Sequence, residues 1–316
     1  MASTPKNRTT SKSVPGRNAP KRPPVRSGRP AGLFTWLAVG LVVVVVAGLV
    51  IIKVATGGSS TGGSSAFQLT DPTTLSELTT VPTSVFNTVG VTSPIAQVTP
   101  PEPVKGQPLL AAATTTGHKL PEILYVGAEY CPYCAAQRWA TIIALSRFGT
   151  WSHLGDTSSG SQDIYPGTPT FTFVKATYAS KYFVFKGVEE FTNVISGSFY
   201  TSLQKPTAQE NAIVKKYDTP KYINGLSLSQ AGAIPFITFA NQFLVAGASY
   251  SPTTLAGSSR SAIAAGLSNS TSPITQAIIA SANYQSAALC TLSKQQPASV
   301  CATPGVKAAD KVMRIK

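Results

Sequence analysis

Apolar positions fall along the chain in three regimes. From 31 to 52 they form one run of 22 residues with no charge, through Leu41 and the valines 42–46 to Ile51 and Ile52. As a helix at about 1.5 Å per residue this run reaches roughly 33 Å, enough for a hydrocarbon core of about 30 Å. From about residue 106 onward, short apolar runs alternate with polar ones in the manner of a globular domain. Residues 120–127 suit a buried strand, and 135–148 suit a helix with Trp139, Ile142, Ile143, Leu145 and Phe148 as its apolar positions and Gly149 as its terminator. The aromatic, alternating segments 170–174 and 181–185 read as strands, as do 233–240 and 242–247 with Asn241 near their turn. Helices are expected over 253–267 and 274–289. Between 188 and 230 the periodicity weakens, and the stretch reads as an insertion with one helix near 209–217. Mixed strands and helices of this kind predict an α/β or α+β domain over 106–316 with both faces of its sheet covered.

The third regime lacks any sustained pattern. Residues 57–65 are Gly, Ser and Thr throughout, a flexible linker by composition. Residues 67–105 stay rich in Thr and Pro, with small apolar islands at Val85-Phe86 and Val89-Gly90-Val91, and read together with the linker (53–105) as a spacer ending in an extended arm laid on the following domain.

Charge sharpens the first of these readings. The chain carries 26 Lys and Arg against 12 Asp and Glu, and eight of the cations lie in residues 1–30, which hold six prolines and no acid. With nothing apolar to bury, 1–30 is expected to be disordered. A basic flank before an apolar run reads as a retained signal anchor, with the tail cytoplasmic and everything past Lys53 outside the membrane. A cleaved signal peptide is the alternative, for which Ser64-Ser65-Ala66 offers a weak cleavage site. At 12% charged residues overall, the composition argues against a cytosolic nucleic-acid binder and for an exported protein.

Four cysteines then bring in chemistry: Cys131, Cys134, Cys290 and Cys301. Outside a membrane an even count favours disulfides, and the spacing suggests Cys131 with Cys134 and Cys290 with Cys301. The second pair reads as a structural staple contributing about 3 kcal/mol by loop-closure entropy. For the first pair, the order strand, loop, Cys131-Pro132-Tyr133-Cys134, helix favours redox chemistry. Thiol–disulfide exchange needs one sulfur of lowered pKa and a second within reach to resolve the mixed disulfide. Cys131 at a helix start meets the positive end of the helix dipole, and Cys134 follows one turn on. A metal centre would need Cys290 and Cys301, or His118 and His153, as further ligands, and their spacing does not suit zinc. No metal and no cofactor is expected.

The strand Ile123-Leu124-Tyr125-Val126, the Cys131-Pro132-Tyr133-Cys134 motif and Ile234-Pro235 before Phe236-Ile237-Thr238-Phe239 resemble the thioredoxin-like superfamily. A longer set is similar to domain-of-unknown-function family 929, whose members are typically membrane-anchored with a thioredoxin-like core: 127–139 around the cysteines, Leu145-Ser146-Arg147-Phe148-Gly149, and Gly232-Ala233-Ile234-Pro235-Phe236. The resemblance implies an α/β fold with a thioredoxin-like core, a helical or irregular insertion before the strand that follows a cis proline, and one preceding transmembrane helix. It places Pro235 in the cis form beside the sulfurs, with the backbone of Ile234 available to pair with a bound peptide. Tyr130 and Tyr133 flank the reactive sulfur as peptide contacts. Glu129 is a proton-transfer candidate that, as an acid, would also raise a thiol pKa. Arg138, two helical turns after Cys131, is expected to anchor the insertion or pack with Trp139.

The function expected is a membrane-tethered extracytoplasmic thiol–disulfide oxidoreductase acting on protein thiols and disulfides, with a possible membrane redox partner. Whether it oxidises, isomerises or reduces is left open by the sequence. The alternative is a surface binding protein on the same scaffold in which both disulfides are staples.

Overall fold

The computed structural model of the chain describes residues 67–94, 96–114 and 116–315. The basic tail, the apolar run 31–52 and the linker up to residue 66 therefore lie outside the described residues. The first half comprises β1 (Gln68–Leu69), α1 (Pro72–Thr79), α2 (Thr83–Val89), β2 (Glu102–Pro103), β3 (Ala111–Ala113), β4 (Lys119–Gly127), α3 (Pro132–Ser146), β5 (Thr150–Ser152) and β6 (Gly155–Ser158). Then come β7 (Pro169–Thr172), β8 (Thr177–Ala179), β9 (Val184–Glu189), β10 (Phe191–Ser196), β11 (Phe199–Ser202), α4 (Ala208–Tyr217), β12 (Phe236–Phe239) and β13 (Phe243–Ala246). Four helices close the chain: α5 (Arg260–Gly266), α6 (Pro273–Leu292), α7 (Ala298–Cys301) and α8 (Pro304–Met313).

The main sheet is built outward from β4, whose second half, from Ile123 to Gly127, is buried. On one side β12 pairs with it antiparallel, followed by β13 and β2. On the other, β9 runs parallel to it from Glu122 to Gly127, while β3 takes the exposed end at Lys119 to Pro121. Because side chains alternate across a strand, Ile123 and Tyr125 enter one buried cluster with Ile237, Phe239, Trp139 and Ile279. Leu124 and Val126 enter another with Phe236, Leu244, Ile213 and Tyr217. Both faces are thus covered, by α3 and α6 on one side and α4 on the other, giving a mixed α/β architecture. No helix among the described residues is long and apolar enough to cross a membrane.

The Thr- and Pro-rich segment 67–105 corrects the expected extended arm. It forms α1 and α2, and Leu78, Val85, Phe86 and Val89 are buried in the same cluster as Trp139 and Ile142. Asp71 caps α1 through the Thr74 amide at 3.0 Å, with Pro72 in its first turn. Helices of eight and seven residues are too short to persist on propensity, so packing stabilises them. Asn283, fully buried in α6, donates to Phe86 O (2.9 Å) and Gly90 O (2.7 Å) and satisfies the end of α2. The Arg147 guanidinium lies 4.1 Å over the Phe86 ring.

Two further expectations change. The helix anticipated over 253–267 is split into a 3-10 turn, Pro252–Leu255, and α5. The irregular insertion contains a hairpin, β10–β11, ahead of α4. Where α4 ends, both carboxylate oxygens of Asp218 are buried without a partner, and burial pushes its carboxyl up to about 6. A raised carboxyl stabilises the fold fully below its unfolded value and loses that contribution as pH rises through about 6. Asp218→Asn is therefore expected to raise the melting midpoint at pH 7.5 by roughly 3 °C, with the gain vanishing as the wild type protonates towards pH 4. A gain of equal size at both pH values would refute the assignment.

Candidate active site

Strand β4 ends at Gly127, and four residues later the chain enters α3 with Cys131 as its N-cap. Pro132 fills the first helical position, where its missing N–H removes no bond. The Cys131 sulfur accepts the Cys134 amide at 3.3 Å, and its thiol donates to Ile234 O at 3.7 Å. The Ile234–Pro235 peptide is cis, and Pro235 is buried while Ile234 stays half-exposed. Five residues expected at the site, Cys131, Cys134, Tyr133, Ile234 and Pro235, are thus grouped at the sheet end where α3 begins. Both site cysteines are free thiols, whereas Cys290 and Cys301 are bonded to each other with Cα atoms 5.5 Å apart, tying the end of α6 to α7.

The two thiols are electrically unlike. A hydrogen bond from the Cys134 thiol lowers the Cys131 pKa against the cost of burial, helped by the Cys134 amide and the charge of Arg138. Cys134, 0% exposed, is pushed well above the ordinary thiol value, first by burial and then by Cys131 itself. Cys131, at 5% exposure, therefore ionises first and keeps a narrow opening to solvent.

Beneath the pair lies a feature the sequence reading did not assemble. Arg138, fully buried one turn after Cys134, donates from Nε to Glu189 Oε1 at 2.9 Å and from Nη2 to Glu189 Oε2 at 2.6 Å. Nη2 also donates to Ala128 O at 2.7 Å, pinning the loop that leads to Cys131. Arg138 thus anchors the end of β9, where the insertion starts. Trp139 instead donates its indole N–H to Pro169 O at 2.9 Å. The Tyr125 ring lies under the guanidinium at 5.7 Å, and a Cβ on Gly127 would collide with the Tyr125 hydroxyl, so only glycine fits there. The acid pair Glu189-Glu190 after an aromatic stretch was the signal for Glu189, but nothing local pairs it with a residue 51 positions earlier.

Around the opening the surface is aromatic. Tyr130 stacks on Tyr200 with centroids 4.2 Å apart and meets Phe199 edge-on at 5.6 Å, while Tyr133 meets Tyr165 edge-on at 5.9 Å. The Glu129 amide donates to Phe191 O at 2.9 Å, joining the hairpin to the cysteine loop. On the other side of Tyr133, a shallow depression of about 240 Å³ is bounded by Thr99, Ser249 and Tyr250. Among the described residues no three of His, Cys, Asp and Glu come together as a metal site would require.

The model of the family described as domain of unknown function (DUF929) matches residues 111–291, more than half of the chain. No curated protein and no solved structure matches.

Proposed function

The chain belongs to the DUF929 family, and from that premise we propose that its described domain is a thioredoxin-like thiol–disulfide oxidoreductase, tethered by residues 31–52 on the outer side of a membrane. The observation that carries this reading is the Cys131 sulfur at a helix N-cap, 3.3 Å from the Cys134 amide and 3.7 Å from Ile234 O, with the two thiol pKa values pushed in opposite directions. The strand order β9-β4-β12-β13, parallel only between β9 and β4, supports a thioredoxin-like core. The Cys290–Cys301 bridge supports an oxidising compartment.

In the reducing direction, the Cys131 thiolate attacks one sulfur of a partner disulfide, forming a mixed disulfide and expelling the partner's other sulfur as a thiolate, which takes up a proton. Cys134 then loses its proton and attacks Cys131, releasing the second partner thiol. The partner has gained two electrons and two protons, and the chain holds a Cys131–Cys134 disulfide. The oxidising direction is the reverse. The carbonyl of Ile234 would receive an amide of the bound segment, a role supported by its position beside the Cys131 sulfur and by the half-exposure of the residue.

Two measurements test the reading. Iodoacetamide is expected to label Cys131 of the reduced protein at a rate whose pH midpoint lies below the ordinary thiol pKa of about 8.5, leaving Cys134 unlabelled until the protein unfolds. Cys134→Ala is expected to accumulate a covalent adduct through Cys131 when mixed with a disulfide-bonded polypeptide. Labelling of Cys131 no faster than an unfolded thiol, with no adduct, would instead favour a binding protein on the same scaffold.

A further inference from the structure

Three loops meet at the Cys131 opening: 128–131, the segment 159–168 and the hairpin β10–β11. The Gly160 amide donates to Tyr130 O at 2.7 Å, and Asn193 Nδ2 donates to Ser158 O at 2.9 Å. The fit is close enough that a Cβ on Gly160 would strike the Tyr200 hydroxyl. The surface so formed keeps large apolar groups in water: Tyr133 is 39% exposed, Phe199 49% and Ile164 69%. Exposed apolar clusters of this kind mark interaction sites.

The charge of this surface is unusual for the chain. Glu129, Asp163 and Glu190 lie on or beside these loops, and among the described residues none forms an ion pair. Asp163 follows Gly160 in the same turn, and its Oδ1 accepts only the Ile164 amide, at 2.7 Å. Burial, and after it the Asp163 charge, push the Tyr200 phenol upward. The geometry beside it is that of the Gly160–Asp163 turn, whose Gly160 amide meets Tyr130 O and whose Gly160 abuts the Tyr200 hydroxyl. A carboxylate held next to exposed aromatic residues and without an ion-pair partner among the described residues is complementary to one chemistry. Ammonium and guanidinium groups are drawn both to the carboxylate and to the ring faces, and their aliphatic stems cover apolar surface.

We propose that this rim docks the partner polypeptide and selects a lysine or arginine beside the partner's reactive cysteine. The inference rests on the exchange chemistry above for its biological use, but binding is separable from chemistry and is tested apart from it. Asp163 with the stacked Tyr130–Tyr200 pair takes the cation, Tyr133 and Tyr165 flank the segment, and Cys131 meets the cysteine between them. Charge complementarity of this sort acts mainly through association rate and is screened by salt.

The test uses the full chain in detergent and three peptides identical except for Arg, Gln or Glu next to one cysteine. With that cysteine S-methylated, the Arg peptide is expected to bind about tenfold tighter than the Glu peptide at low ionic strength, the ratio shrinking in 0.3 M salt. Asp163→Asn and Tyr200→Leu are each expected to bring the Arg-to-Glu ratio towards one. With the cysteine in a disulfide, the same ranking is expected in the second-order rate of exchange. Equal binding of the three peptides, or a ratio that both variants leave intact, overturns the docking proposal even if exchange proceeds. Selective binding without exchange, to these peptides or to hydroxyethyl disulfide, overturns the oxidoreductase reading and leaves the docking surface standing.

Discussion

Arg138→Leu is expected to lower the unfolding free energy by about 3–5 kcal/mol, because it strands a buried carboxylate. The Glu189 side chain is 0% exposed, and besides Arg138 its carboxylate is reached only by the Phe173 amide at 3.4 Å. Burial already holds the Glu189 carboxyl above its usual range, with the guanidinium pulling it back. Removing the guanidinium lets it rise further, so the carboxyl becomes protonated in the fold. A carboxyl raised in the fold contributes its stability below its unfolded pKa and loses it as pH rises through the folded value. The deficit of Arg138→Leu should accordingly be small near pH 4.5 and grow towards pH 8, as urea titrations at both ends would measure. The double variant Arg138→Leu, Glu189→Leu is expected to recover most of the loss, since an apolar pair of similar volume avoids both desolvation penalties. A single variant as stable as the wild type at pH 8 would refute this account of the pair. Because Nη2 also holds Ala128 O, labelling of Cys131 by iodoacetamide should change in Arg138→Leu even where the fold is retained.

Cys131→Ser is expected to abolish exchange with a disulfide-bonded peptide, a loss on the order of a thousandfold or more, since a nucleophile has no substitute. The effect of Cys134→Ser should differ in kind. Its single attack survives, so one equivalent of partner thiol is released in a burst and turnover then stops. That asymmetry follows from burial: Cys131 keeps an opening of 5%, while Cys134 has none and lies behind the Cys131 sulfur, to which its amide donates. Stopped-flow release of thiol separates the cases. Equal residual turnover in both variants would remove Cys131 from the role of nucleophile and with it the proposed chemistry.

The cysteine motif was legible because its geometry is local. A proline after Cys131, apolar spacing from Trp139 to Phe148 and a buried strand before it are all within one βα unit, and α3 forms where they point. The second cysteine pair was legible for the same reason, its members being 11 positions apart. The segment 67–105 was misread because Thr and Pro dominate it and its few apolar residues show no period. Leu78, Val85 and Phe86 become core residues only once α6 supplies Asn283 and an apolar wall. The hairpin β10–β11 escaped because Phe191, Phe199 and Tyr200 alternate imperfectly, and their partner is Tyr130, more than 60 positions earlier.

Read by itself, the chain determined where a helix must begin, which thiol sits at its positive end, which positions prefer to be out of water, and which family it belongs to. These are properties of neighbours along the backbone, set by spacing and side-chain type. Tertiary structure alone decided that Glu189 lies under Arg138 and that the Gly160–Asp163 turn meets Tyr130 and Tyr200. Each joins groups tens of positions apart, and the energies that decide them, desolvation and contact across the fold, have no counterpart in local sequence.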